Sequence, residues 1–256
     1  MSAVTILGVT VEAQRYEAAI SALLEAVRAE GPRRAHFATV HSVVESTGSA
    51  PLREAFASAW MVCTDGMPLA WVARLRGARA ERVCGPDVML TLCDRGRALG
   101  LRHYFLGGGP GTAERLAKVL ASRFPGLEVA GTHAPPFREL SEAEDQAIVD
   151  TVNAASADVL WVGLGSPKQE LWAAAHEARL QSHLILPVGA AFDFHSGKLR
   201  RAPSWMRRLG LEWLFRLAME PRRLLRRYVV TNSRFVLLLI REEWSRRRGG
   251  AEPTAS

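Results

Sequence analysis

The sequence predicts an α/β fold, a doubly wound and mostly parallel sheet that ends in a basic helical appendage. Three observations predict it. Short apolar runs closed by glycines alternate with amphipathic stretches of 10–15 residues, the pattern of βαβ units with helices on both faces of one sheet. Glycine-rich turns follow several of those runs, as in Rossmann-like sheets whose loops face a ligand crevice. After residue 195 the alternation stops and arginine-rich helical periodicity takes over.

In chain order, strands are expected over residues 4–9, 35–40, 60–64, 103–106, 127–130, 159–162 and 185–188. Helices are expected between them over 16–29, 52–58, 69–75, 87–99, 112–124, 142–154 and 168–179. Two helix starts carry chemical markers. Ser141 with Glu144 forms a capping box, and Ser166 with Gln169 has the same spacing, with Pro167 at the first helical position where its missing N–H costs nothing. The tail reads as helices over 205–209, 212–219 and 222 to about 246. The expected organisation is a catalytic α/β domain over 1–195, an Arg/Trp-rich helical appendage over 196–246 and a frayed polar end over 247–256.

The 256 residues, 48% hydrophobic and 23% charged, suffice for one sizeable core and exclude wholesale disorder, a collagen-like repeat and a disulfide-stapled miniprotein. The net charge of +7 is unevenly spread. Residues 196–256 hold 15 Lys/Arg against 5 Asp/Glu, whereas residues 1–195 hold 18 against 21. A near-neutral body with a basic, tryptophan-bearing tail suggests docking onto something anionic. Cys63, Cys84 and Cys93 have no metal-ligand spacing and read as small buried residues in a reducing compartment. No basic segment followed by an apolar core marks the N-terminus as a signal peptide. The longest apolar run of the tail, Phe235 to Ile240, is cut off by Arg234 and Arg241, far short of a membrane span. The expected location is cytoplasmic, peripheral on the inner face of the cell membrane.

In such a sheet the residues after each strand carry the function. Asp65, in Thr64-Asp65-Gly66-Met67-Pro68, is a lone strand-end carboxylate suited to take a proton from a hydroxyl; the competing reading is a turn stabiliser. The loop 107–111, including Gly107 and Gly109, brings backbone N–H groups to a helix N-terminus where a phosphate can sit; a tight turn is the alternative. It departs from both G-x-G-x-x-G and the P-loop. Gly163-Leu164-Gly165-Ser166-Pro167-Lys168-Gln169-Glu170 is the most unusual run. Capping accounts for Gln169 but not for two glycines, Lys168 and Glu170. No metal is expected, because the chain has no Asp-x-Asp pair and no His-x-x-x-His or Cys/His cluster, and the seven histidines read individually as structural. No Gly-x-Ser-x-Gly elbow points to a hydrolase. In the tail, Trp, Leu, Phe and Met interleave with Arg at helical spacing, as in interfacial helices on anionic lipid; a solvated basic face over a core contact is the plainer reading.

Taken together, these runs resemble the WecG/TagA/CpsF family of bacterial glycosyltransferases, glycosyltransferase family twenty-six. The resemblance covers about residues 35–245. It is carried by Asp65-Gly66-Met67-Pro68-Leu69, Arg82-Val83-Cys84-Gly85-Pro86-Asp87, Leu106-Gly107-Gly108, the 163–170 run, Gly189-Ala190-Ala191-Phe192-Asp193, and the tail from Arg201-Ala202-Pro203 to Glu212-Trp213-Leu214-Phe215-Arg216. It implies an inverting, metal-independent transfer of a hexosyl or N-acetylhexosaminyl group. The donor would be a UDP-sugar, with no cofactor, and the acceptor a saccharide on polyprenyl diphosphate, in surface polysaccharide or wall-polymer assembly. Under the resemblance Asp65 matches the general base, Gln169 and Asp193 match donor-site positions, and Arg82 lies in the active-site block. Arg216, Arg223 and Arg226 match C-terminal arginines that close over the site. The family's Thr-x-Asn after the second main strand is replaced by Thr39-Val40-His41, so either Thr39 or His41 takes the asparagine's place. Thr64 stands where many members have proline.

Two rivals remain from the residues alone. A nicotinamide-dependent oxidoreductase would use the loop 107–111, with Glu128 at the end of the next strand as the ribose acid. A non-enzymatic module would bind membrane or RNA through the tail; nucleic acid is the weaker partner, since no DNA-binding motif accompanies the charge. A homo-oligomer is compatible with all three readings.

Overall fold

The computed structural model describes residues 2–249, apart from the side chain of Arg223. The amino-terminal half contains β1 (Ser2–Ile6), β2 (Val9–Ala13), α1 (Tyr16–Ala26), β3 (Arg33–Ala38), α2 (Val40–Ser46), α3 (Ala50–Ala57), β4 (Met61–Thr64), α4 (Met67–Leu75) and α5 (Gly85–Arg95). The second half contains β5 (Arg102–Gly107), α6 (Thr112–Arg123), β6 (Glu128–His133), α7 (Glu142–Ala154), β7 (Val159–Gly163), α8 (Lys168–His176), β8 (Leu184–Pro187) and α9 (Ala191–His195). Three helices follow, α10 (Ser204–Arg208), α11 (Glu212–Met219) and α12 (Pro221–Gly249).

The strands form one eight-stranded sheet in the order β1-β2-β4-β3-β8-β7-β5-β6, parallel except for the β1/β2 hairpin. Both faces are covered, and the side-chain alternation shows it. On β3, β4, β5, β7 and β8, residues Phe37, Cys63, Phe105, Trp161 and Leu186 join a core with α1, α5, α6 and α9. Their neighbours Ala38 and Val62 pack with α2, α3 and α4, and Tyr104, Leu160 and Ile185 pack with α7 and α8. Burial on both faces is why β4, β7 and β8 read as nearly continuous apolar runs, whereas β3 and β5 also bury Arg34, His36 and His103. The chain leaves β3 for β4 in one direction and β5 for β6 in the other, so the loops after β3, β4, β5, β7 and β8 surround one crevice.

Several expectations need correction. The strand expected over 4–9 is a hairpin, because Leu7 and Gly8 both adopt positive φ (50° and 82°) and turn the chain inside the apolar run. Two helices, α2 and α9, were not expected. Thr39 starts α2 through a reciprocal capping box with Ser42, a pattern hidden by the β-branched Val40, Val43 and Val44. The capping box at Ser141 and Glu144 is present. The one expected at Ser166 and Gln169 is not: Ser166-Pro167 is a cis peptide, Pro167 precedes the helix, and no side chain caps it. Glu128 begins β6 rather than ending it, so it lies at the opposite edge from the crevice and cannot serve as the oxidoreductase reading requires. The last helix runs to Gly249; residues 250–256 of the expected frayed end lie outside the described residues.

The segment after residue 195 packs closely on the body. Leu224, Thr231 and Phe235, on one face of α12, are buried, and Phe235 joins the core of α2, α3 and α4. At the far end of α12, Glu242 accepts from the Leu7 N–H at 2.9 Å, and Glu242 and Glu243 both hold Arg76, the residue that follows α4. The opposite face leaves Leu225, Val229, Val236, Leu237, Ile240 and Trp244 exposed. No helix of the described residues is long and apolar enough to cross a membrane.

Candidate active site

The crevice has a charged end at β3 and β4. Asp65 follows β4, with its N–H bonded to the Ala38 carbonyl at 2.9 Å, so the ends of the two strands are locked together. Its carboxylate accepts from the Gly85 N–H at the start of α5 and lies 3.4 Å from Arg82 Nη2. Arg82 is fixed on the same residue, its Nε donating to the Asp65 carbonyl at 2.6 Å. Both side chains are 18% exposed, enough to meet a substrate yet largely withdrawn from water. Burial is the main reason that the Asp65 pKa is pushed up to about 6; Arg82, the Gly85 N–H and Arg201 pull it down, and Glu212 adds to the rise. A carboxylate poised there is ionised at neutral pH and more basic than an ordinary aspartate.

The segment after residue 195 completes this end. Glu212, the first residue of α11, accepts from Arg82 Nη2 at 2.7 Å and from Arg201 Nε at 3.3 Å. Arg201 donates through Nη1 to Asp87 of α5 at 2.5 Å, and Arg207 of α10 reaches the same oxygen at 3.1 Å. Asp65, Asp87 and Glu212 thus face Arg82, Arg201 and Arg207, a balanced set of three anions and three cations. Asp87, Arg201 and Glu212 stand in runs that carry the family resemblance, with Arg207 between the last two, but no local pattern marks any of the four as a site residue. Their partners lie far away in sequence, but one signal was available: Glu212 is the first acidic residue after Asp193 in a run of arginines.

The other end, after β5, β7 and β8, is lined by glycine. Gly107 (φ 126°) lies against Gly163, where an added Cβ would fall 2.5 Å from the Gly163 carbonyl. A Cβ on Gly163 would fall 2.5 Å from the Phe192 ring. These two glycines are therefore required by close backbone approach. Gly109 is different: its Cβ position is open to Lys198 Nζ at 3.7 Å, Thr112 Oγ1 at 3.7 Å and the exposed Phe137 ring at 3.8 Å. Lys198 pairs with Asp193 of α9 at 3.3 Å, so the loop 107–111 and Asp193 share one corner. Gln169 is buried at the ends of β7 and β8; its Oε1 accepts from the Gly165 N–H at 3.2 Å and lies 3.2 Å from the Cβ position of Gly189. Its Nε2 donates to Glu170 at 3.1 Å, and burial raises the Glu170 pKa.

The remaining expected residues are dispersed. Thr39 follows β3 near Asp65, but its hydroxyl caps α2, accepting from the Ser42 N–H at 3.1 Å. His41 lies one residue into α2, where burial and then the charge of Arg227 on α12 lower its pKa. Lys168 is exposed beside Pro167, Leu171 and Trp172, on the solvent side of α8, whereas Gln169 is on its buried side. Arg216 lies over the Phe194 ring at 5.6 Å, one residue from Asp193. Arg226 is exposed on α12, and the side chain of Arg223 lies outside the described residues. Among the histidines, His103 accepts from Trp161 Nε1 at 3.0 Å, His176 contacts Asp145 at 2.5 Å and His195 contacts the Pro86 carbonyl at 2.7 Å. All three cysteines are buried and free. Among the described residues no group of three or more His, Cys, Asp or Glu side chains is placed to hold a metal ion.

The family model for the glycosyl transferase WecG/TagA/CpsF family matches residues 4–249. The chain belongs to that family. Its relatives include the N-acetylglucosaminyldiphosphoundecaprenol N-acetyl-beta-D-mannosaminyltransferases of Bacillus spizizenii, 27% identical over 77% of this chain and 72% of that protein, and of Bacillus subtilis, 26% identical over 74% and 72%. The Staphylococcus aureus enzyme of the same name is 28% identical over 59% of this chain and 58% of its own. Like them, this WecG/TagA/CpsF member is a glycosyltransferase. Its charged crevice end holds the Asp65 carboxylate, raised in pKa mainly by burial, and its glycine end holds the Lys198–Asp193 pair beside the loop 107–111.

Proposed function

We propose that the protein transfers an N-acetylhexosaminyl group, with inversion, from a UDP-sugar to a saccharide on polyprenyl diphosphate during wall-polymer or surface-polysaccharide assembly. The names of the relatives, which specify a diphosphoundecaprenol acceptor and an N-acetylmannosaminyl group, support the acceptor class and the type of group transferred. The observation that carries the mechanism is the largely buried Asp65 carboxylate with its pKa pushed up to about 6. Asp65 takes the proton of the acceptor hydroxyl while that oxygen attacks the anomeric carbon. The bond from that carbon to the diphosphate oxygen breaks, and UDP leaves with the electron pair.

The departing diphosphate needs positive charge. Because the ion pairs around Asp65 are balanced, the positive charge must come from elsewhere: Arg216 and the N–H groups at the start of α6, with Lys198 available only by exchanging its pair with Asp193 for the diphosphate. Arginine, lysine and backbone donors then take the part that a metal ion plays in other sugar transfers. The exposed Trp205, Leu209, Trp213, Leu214 and Trp244, interleaved with arginines, support docking on an anionic membrane surface, which brings the crevice to a lipid-borne acceptor.

The test is a panel of UDP-sugars offered with a synthetic lipid-diphosphate N-acetylglucosamine, with and without EDTA, and with anionic or neutral vesicles. Turnover of one UDP-N-acetylhexosamine to the inverted anomer, unaffected by EDTA and stimulated by anionic vesicles, is expected. A retained anomeric configuration, or activity abolished by EDTA and restored by a divalent ion, overturns the reading.

A further inference from the structure

Arg82 is shared between two carboxylates, and the sharing is unequal. Its Nη2 is 2.7 Å from Glu212 Oε2 and 3.4 Å from Asp65 Oδ1. The first distance is that of a full charge-assisted hydrogen bond and the second is not. Arg82 cannot leave the neighbourhood, since its Nε is held by the Asp65 carbonyl at 2.6 Å. Its outer nitrogen carries two N–H bonds and faces both carboxylates, with the short contact going to Glu212 and the long one to Asp65. Glu212 is itself braced from behind by Arg201, which is anchored on Asp87.

We propose that Glu212 is a positioning residue for Asp65, holding the Arg82 guanidinium off its carboxylate so that Asp65 stays basic enough to deprotonate the acceptor. This rests on the reading of Asp65 as the base. An arginine in close contact lowers an aspartate pKa by about 1–3 units, and a carboxylate lowered that far is a poor acceptor of a hydroxyl proton. The groups facing Asp65 are few. Arg82 comes from the loop before α5, Arg201 from the segment before α10, Glu212 from α11 and the Gly85 N–H from α5. The thiols of Cys63 and Cys84 are pushed up by burial and stay neutral. Glu212 is thus the one neighbouring anion among these groups, and it acts in the direction that preserves a base both by its own charge and by occupying Arg82. Since Glu212 belongs to α11, seating the C-terminal helices on the body would also set the strength of the base.

The experiment compares full-length wild type, Glu212→Gln, Arg82→Gln and the double variant. The Asp65 carboxyl is titrated by carbon NMR, with Asp65→Asn for assignment, and the pH profile of kcat/KM is measured alongside. In Glu212→Gln the Asp65 titration is expected to fall by about one unit, the acid limb to fall with it, and the plateau above pH 7 to drop roughly three- to thirty-fold. On the Arg82→Gln background the same replacement should move the titration by less than half as much, because the route through Arg82 is gone. The double variant leaves neither group buried without a partner, so it keeps the comparison available if a single variant folds poorly. An Asp65 titration unmoved by Glu212→Gln, or moved equally on both backgrounds, overturns the proposal. The carboxyl titration needs no turnover, so it judges Glu212 even if Asp65→Asn proves active and the base assignment itself fails.

Discussion

Where β4 ends, the crevice is lined with charged side chains that satisfy one another; where β5 and β7 end, it is lined with backbone and glycine. The first end is assembled from distant parts of the chain, with Asp65 and Arg82 from the body and Arg201, Arg207 and Glu212 from the C-terminal segment. The second is assembled by close approach, with Gly107 on Gly163 and Gly163 on Phe192. The difference teaches a division of tasks. Paired charges tune a titratable group, and side-chain-free backbone leaves space for a ligand that carries its own charge. Substitutions at the first end should therefore change chemistry more than stability, and those at the second should do the reverse.

Asp65→Asn gives the largest expected effect. Losing the base should lower kcat/KM by about 10²–10⁴-fold while the fold survives. Its stability should even improve at neutral pH. The folded pKa, about 6, lies above the unfolded value of about 3.9, so the folded state holds the extra proton between those values. Stability from this group is present below pH 4, is lost as pH rises through 6, and stays lost above it. Asn carries no such penalty, and a gain on the order of 2 kcal/mol at pH 7.5 is expected from thermal or urea unfolding. The wild-type acid limb of kcat/KM should fall near pH 6. A variant that is both inactive and less stable at pH 7.5 would make Asp65 a structural pin and erase the contrast between the two ends.

Gly163→Ala is the corresponding test of the glycine end. The new Cβ would sit 2.5 Å from the ring of Phe192, which is itself held edge-on to Phe105 at 6.2 Å in the core. A loss of about 3 kcal/mol or more is expected, read as a lowered Tm. Gly165→Ala, two residues on, has open space around its Cβ and only a positive φ of 80° to strain, so about 1–2 kcal/mol is expected. Equal losses would mean that close packing does not distinguish the two glycines.

The two ends also differed in how much of them was legible in the sequence. Asp65 was legible as a strand-end carboxylate, with a turn stabiliser as its rival until the family resemblance pointed to a base, and β4, β7 and β8 were legible because burial on both faces makes them nearly continuous apolar runs. The turn at Leu7 and Gly8 was hidden inside such a run, and α2 behind its β-branched residues. The 166–169 spacing mimicked a capping box, although Gln169 is turned towards Gly165, Glu170 and Gly189. The glycines of 107–111 and 163–165 were visible as a cluster, but their separate roles depend on what stands opposite each, which no local pattern encodes. The ion pairs of Arg82 and Glu212 join residues 130 positions apart, and only the folded chain brings them together.

The smallest expected effect is at Lys198, the lysine that pairs with Asp193 at the glycine end. Its pair with Asp193 spans 3.3 Å, and its side chain is 56% exposed. Exposed pairs of this kind contribute about 0–1 kcal/mol, so Lys198→Ala should leave Tm within roughly 2 °C of wild type. If the lysine meets the donor's diphosphate, the same variant should raise the KM for the nucleotide sugar about tenfold and flatten its dependence on salt, with kcat changed much less. A loss of stability beyond about 1 kcal/mol with donor KM unchanged would make Lys198 a strut for α9, and the glycine end would then hold its ligand by backbone N–H groups alone.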